Sequence, residues 1–273
     1  MKKKILALLL SAIAIGVSCY LAFDTKSEKN LKEGDSVDVV PVGKGGGSVA
    51  VRDAGDAVMI TADDLKKNFD QLNADAKKQP VLAFSLAKLL FECKTLASTL
   101  SSSEELIALE KVPRENKERL LSGMERKAAR CEGLNEQQIN SYVDMMDFAA
   151  QSGVVEAQLS YSGYVADAMM SPESIANPQR IVDYKRKSLE YYNRALGAGE
   201  VKALGLLASA YEDGILAEKD PYKAYVYAYT YAISKGGGAS ANQWLAQMEA
   251  ALTASQLQSA RSEAQQVYAR CCR

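Results

Sequence analysis

Histidine is absent from this 273-residue chain. That removes the usual general base, the usual partner of a serine or cysteine nucleophile and the commonest zinc ligand together. Charge of one sign is also missing: 33 basic and 34 acidic residues leave a net charge of -1, so nothing suggests an electrostatic grip on nucleic acid. Prolines number only six, and alternating β-branched runs are scarce, which favours helix over strand. What is present in quantity is apolar material, 48% of the chain, enough for one large or two modest cores. The composition predicts an all-α protein.

The N-terminus predicts export. Lys2, Lys3 and Lys4 precede an apolar stretch from Ile5 to Phe23, long enough as a helix to cross a hydrocarbon core. The basic flank belongs on the cytoplasmic side, which places the remainder in the periplasm or cell envelope. Three readings compete for residues 1–23: a retained anchor, a lipoprotein signal with Cys19 as the lipidated residue of Gly16-Val17-Ser18-Cys19, and a cleaved signal peptide. Residues 24–60 are mixed in charge and contain Gly43-Lys-Gly-Gly-Gly-Ser48, and they read as a flexible linker. That glycine run lacks the residue order of a phosphate-binding loop.

Residues 61–135 are expected to form a helical hairpin. Thr61-Ala-Asp-Asp64 is a capping-box-like start, and Pro80 suits the first turn of the next helix. Leu82, Leu86, Leu89, Cys93, Leu96 and Leu100 step by four and three, as do Leu121, Met124, Ala128 and Cys131 after Pro113. Both series predict packing seams of antiparallel arms. Cys93 and Cys131 lie on those seams equidistant from a turn at Val112-Pro113, so a disulfide is expected in an oxidising compartment, against two buried thiols. Adjacent Cys271 and Cys272 have three options: free thiols, a bond to each other, or a bond to another chain.

Residues 136–273 carry a recurrence. Gly153-Val-Val-Glu-Ala157 is echoed by Gly199-Glu-Val-Lys-Ala203 and by Gly237-Gly-Ala-Ser-Ala241, each between two helical runs. Such spacing predicts stacked helix pairs, a solenoid, with Ser171 to Gln179 as a loop and a capping helix starting at Thr253-Ala-Ser-Gln256. The stretch Ala203, Leu207, Tyr211-Glu-Asp-Gly214, Lys219-Asp220-Pro-Tyr222-Lys-Ala224, Tyr227, Ala232, Gly237 and Ala241 resembles the Sel-1-like repeat, a relative of the tetratricopeptide repeat. The resemblance covers about residues 145–250. It implies a helical solenoid that serves as an adaptor in protein complexes, often in the bacterial envelope. The disulfide in every repeat of some relatives has no counterpart here.

For chemistry the sequence offers little. Ser85-Leu-Ala-Lys88 matches the Ser-x-x-Lys of penicillin-binding enzymes, with Ser85 and Lys88 on one helical face, but no Lys-Thr-Gly or Ser-Asp-Asn accompanies it. The tyrosines are the candidate recognition surface. Tyr222, Tyr225 and Tyr229 share one face of a helix, and Tyr191 is placed with them as a contact for a partner. Lys185-Arg-Lys187 with Arg180 and Arg194 forms a basic stretch, the pattern of a solvated helix face. The expectation is a membrane-tethered scaffold that binds a protein or peptide, without catalysis, cofactor, metal or nucleic acid. Its rivals are an envelope hydrolase acting on peptidoglycan or a β-lactam through Ser85 and Lys88, and a purely structural protein linked through Cys271 or Cys272.

Overall fold

A computed structural model describes residue 60 and residues 62–101, 111–236 and 239–272. Helices are the regular elements among them. The expected membrane or signal helix with Cys19, the linker and the Thr61 cap lie outside the described residues. No helix of the described residues is long and apolar enough to cross a membrane.

The first helices are α1 (Ala62–Ala76), α2 (Pro80–Ser101) and α3 (Arg114–Cys131). Pro80 opens α2, where its missing N–H costs nothing. The α2 seam is buried as its spacing predicts: Leu82, Leu86, Leu89, Cys93 and Leu96 are all core residues. The α3 seam is not. No residue of α3 is buried, Leu120 and Leu121 are exposed, and so is Ala128. The expected symmetric hairpin is therefore corrected. The apolar face of α2 packs mainly on a later helix, α5, and α3 is left leaning on α1 and α2 from outside. Nine charged residues among the 18 of α3 make it too polar to compete for that core position.

After a short α4 (Glu136–Asn140), capped by a box between Asn135 and Gln138, come α5 (Tyr142–Gln151) and α6 (Val155–Met169). The expected loop from Ser171 to Gln179 contains a short helix, α7 (Pro172–Ala176), because Ser171 caps it by accepting from the Ser174 N–H and Pro172 supplies its first turn. The series continues with α8 (Pro178–Gly197), α9 (Lys202–Asp213), α10 (Pro221–Ser234), α11 (Ala239–Glu249) and α12 (Ala254–Cys271). From α5 to α10 the principal neighbours follow chain order: α5 on α6, α6 on α8, α8 on α9, α9 on α10. The Thr253–Gln256 capping box starts α12, which packs on α10.

Two of the predicted turns share one construction. Gly153 and Gly199 have φ of +95° and +88°, a region that costs a side-chain-bearing residue energy. In each, the glycine N–H bonds the carbonyl three residues back (Ala150, Leu196), and the next N–H bonds the carbonyl five back (Ala149, Ala195). That closure satisfies helix-end carbonyls and turns the chain sharply. Four residues on, Ala157 and Ala203 are fully buried. A methyl group there lets neighbouring helices approach closely. In the third turn the left-handed residue is Gly236, one position earlier than the echo at Gly237 predicts. Gly237 itself and the Ala241 side chain lie outside the described residues.

Buried side chains form two clusters. One runs from Leu65 on α1 to Tyr191 on α8, the other from Leu204 on α9 to Val267 on α12. The boundary drawn at residues 135 and 136 does not separate cores, because Leu86 and Leu90 of α2 share a cluster with Met146 and Ala149 of α5.

Candidate functional site

The tyrosines picked out as a recognition surface are divided by the fold. Tyr191 and Tyr225 are buried, at 2% and 0% exposure, which corrects their assignment to a partner surface. Tyr222 and Tyr229 are half-buried. The physical reason lies in what covers α8 and α10, which helical spacing along one segment does not reveal.

Tyr191 ties three helices. Its ring meets Tyr161 of α6 edge-on at 4.9 Å, and its hydroxyl donates to Oδ1 of Asp147 on α5 at 2.7 Å. Lys187, one turn earlier on α8, donates to the other carboxylate oxygen at 2.6 Å. Arg194 donates to the Gln151 carbonyl at 2.8 Å and lies 5.9 Å from the Tyr191 ring. Burial first, then the Asp147 carboxylate, raises the Tyr191 pKa above the ordinary phenol value. Tyr184 and Tyr192 also face α6: Tyr184 donates to the Ser162 carbonyl at 2.8 Å, and Tyr192 hydrogen-bonds the Ser162 hydroxyl.

Tyr225 organises the other end. Its hydroxyl donates to Glu249 Oε1 at 2.8 Å and accepts from Arg261 Nε at 3.0 Å, and Arg261 also donates to that carboxylate oxygen at 2.7 Å. Arg261 and Glu263 belong to α12, so α12 lies across the tyrosine face of α10. The Tyr222 hydroxyl donates to Glu263 at 2.9 Å, and the Arg261 guanidinium lies 5.9 Å from the Tyr229 ring. The face that spacing marked for a partner is thus occupied in good part by the chain's own last helix. Tyr222 and Tyr229 keep their outer edges.

Three residues of the basic stretch are paired with carboxylates within the chain. Lys187 pairs with Asp147, Arg180 with Glu173 at 3.0 Å, and Arg186 with Glu190 at 3.2 Å. Lys88 is exposed with its ammonium 5.3 Å from the Phe84 ring, and Ser85 is half-buried one turn away. Among the described residues no group of three or more cysteine or carboxylate side chains could hold a metal.

Comparison with protein-family models and with curated proteins finds no match. A solved structure is similar, that of c5321, a protective antigen present in uropathogenic Escherichia coli strains displaying an SLR fold. The identity is 18%, the TM-score is 0.30, and the similarity covers 74% of this chain and 48% of that one. This chain therefore matches about half the length of that relative. That fold, the Sel-1-like repeat, is the class that residues 145–250 resemble in sequence.

The four described cysteines are paired within the chain. Cys93 and Cys131 form a disulfide with α-carbons 5.5 Å apart, and Arg130 bonds Glu92 at 3.1 Å beside it. Cys271 and Cys272 bond each other, the second of the three options open to them. Sequence reasoning missed the polar residues that use the tyrosines, namely Asp147, Glu249 and Arg261. One signal was legible for the first: Asp147 is a carboxylate in an otherwise apolar stretch, Met145-Met-Asp-Phe-Ala-Ala150. Burying such a group requires a partner.

The tyrosine environment has a pH consequence. Burial, aided by Asp167, pushes Tyr142 up to about 12, and its hydroxyl is buried without a hydrogen-bond partner among the described residues. Burial pushes Tyr225 up to about 12 as well, and Tyr161, Tyr184 and Tyr191 are raised further. Unfolded tyrosine titrates near ~10, so above that pH the unfolded chain releases protons first. The stability these groups contribute is full below pH ~10 and is lost as pH rises through their folded values. The urea midpoint should fall between pH 10 and 12, with phenolate absorbance appearing as the chain unfolds. Equal midpoints at pH 9 and pH 11 would contradict the burial of these rings.

Proposed function

We propose that this protein is an exported, membrane-tethered helical-repeat scaffold that holds a protein or peptide partner in the cell envelope. The observation that carries the reading is the chain-order stacking of α5 to α10 through two identically closed glycine turns, with Ala157 and Ala203 buried beyond them. Repeats stacked in this way present an extended surface rather than one enclosed pocket. The strongest polar contacts of α5, α8, α10 and α12 join helix to helix, which suits a rigid frame. Export and tethering rest on Lys2 to Phe23, where the basic flank and apolar length agree.

The outer edges of Tyr222 and Tyr229 are the proposed contact. A photo-crosslinking residue placed at Tyr222 or Tyr229 in the full chain, expressed in its own cell, should capture one envelope protein of defined mass. The same residue at exposed Lys78, in the turn after α1, should not. Capture from both positions alike, or from neither, would reject this surface. Mass measurement of the mature N-terminus tests the tether separately: a chain lacking both the apolar segment and a lipid at Cys19 would remove it. The hydrolase rival draws no support from Lys88, which stands on an open helix face. The rival built on inter-chain linkage through Cys271 or Cys272 is weakened by their bond to each other.

A further inference from the structure

The two disulfides differ in what the fold does for them. Cys93–Cys131 closes a 38-residue separation, holds α3 against α2, and has one sulfur-bearing residue at 2% exposure. Folding brings those two sulfurs together, so folding favours the bond. Cys271–Cys272 joins neighbours whose α-carbons are 3.8 Å apart, the spacing of consecutive residues in any trans chain. Ordinary disulfides span roughly 4.4–6.8 Å between α-carbons, and closure outside that range makes the bond easier to reduce. The peptide already links these residues, so their disulfide removes almost no freedom from the unfolded chain. Folding therefore lends it no comparable support.

Its placement also differs. Cys271 ends α12 and Cys272 caps it, with the Cys272 N–H donating to the Tyr268 carbonyl at 3.0 Å. Both are half-buried on the apolar cluster that includes Leu196 and Val201. The Cys271 carbonyl lies 3.7 Å from where a side chain on Gly199 would begin. The pair is thus reachable from solvent, yet it touches the turn between α8 and α9.

We propose that Cys271–Cys272 is a thiol–disulfide exchange site that a dithiol reduces while Cys93–Cys131 stays oxidised. A thiolate of the dithiol attacks one sulfur of the pair and forms a mixed disulfide, releasing the other cysteine as a thiolate. The second thiol of the reductant then closes its own disulfide and frees the attacked cysteine. Two electrons and two protons pass from the dithiol to Cys271 and Cys272, and the reductant leaves oxidised. Opening the eight-membered ring loosens the end of α12 against Gly199.

The test uses the full chain in detergent. Any free thiols are first blocked with iodoacetamide. The protein is then equilibrated in buffers of stepped reduced-to-oxidised dithiothreitol ratio, acid-quenched and labelled with a maleimide. Cleavage after Glu263 isolates the C-terminal pair for mass measurement. Cys271 and Cys272 should open at a dithiol ratio at least about tenfold lower than Cys93 and Cys131 do. Amide exchange across residues 197–201 should rise at the same step. The double variant Cys271→Ser, Cys272→Ser should lose the first labelling step and keep the second unchanged. Joint opening of both bonds, Cys93–Cys131 opening first, or Cys271 and Cys272 found as thiols before any reductant would each overturn the proposal. A parallel arm with a reduced thioredoxin separates sources: opening by both reductants assigns a protein dithiol, opening by dithiothreitol alone a small one.

Discussion

Removing the Cys93–Cys131 bond should detach α3 from the rest of the molecule. Loop-closure entropy for a separation of 38 residues corresponds to on the order of 4 kcal/mol of stabilisation lost. The loss should concentrate in one place, because α3 buries no residue of its own. Apart from the bond, α3 is held by its partial contacts with α1 and α2 and by the Arg130–Glu92 pair, both of whose side chains are more than a third exposed. An exposed pair of that kind contributes at most about 1 kcal/mol. In the double variant Cys93→Ala, Cys131→Ser, amide protection should disappear across residues 114–131 and persist in α5 to α12. The variant keeps alanine at the buried position to avoid an unsatisfied hydroxyl there. Undiminished protection of α3 in the variant would mean that side-chain packing, not the covalent bond, positions it.

Tyr225 should behave as a core residue and Tyr222 as a surface one, although the two lie on the same face of α10. Tyr225→Ala deletes a fully buried ring and should cost about 3–5 kcal/mol. It also strips Glu249 and Arg261 of the hydroxyl that both contact, loosening the junction of α10, α11 and α12. Tyr225→Phe keeps the ring and should cost only about 1–2 kcal/mol, the net worth of hydrogen bonds to charged groups at a partly exposed site. Tyr222→Ala should change stability by no more than about 1 kcal/mol, since its loss is one rim hydrogen bond and part of a ring. Urea denaturation of the three variants gives the order directly. Equal costs at Tyr222 and Tyr225 would show that α12 does not cover α10 as described. Partner capture should follow the reverse order: Tyr222→Ala impairs it in a stable protein, whereas Tyr225→Phe leaves it intact.

Local order was legible wherever one segment's own residues decide the outcome. Pro80 and the Thr253–Gln256 box start helices where the sequence places them, because caps and first turns are contacts within four residues. Gly153 and Gly199 close their helices for the same reason. The third turn slipped by one residue to Gly236, since three consecutive glycines all permit the required φ. The α2 seam was correct because leucines at three- and four-residue steps need burial against something.

Which partner supplies that burial was the illegible part. The seam of α3 has similar spacing, but α5 brings Met145, Met146 and Ala149 to α2 and offers a better apolar surface than a helix half made of charges. The candidate surface failed at Tyr191 and Tyr225 on the same ground: Asp147 stands 44 residues from the first, and Arg261 stands 36 from the second. By itself, the sequence determined the helical class, the helix starts and the glycine turns. Only tertiary structure decided which faces are covered, because burial is a property of two surfaces meeting, and each segment encodes only one of them.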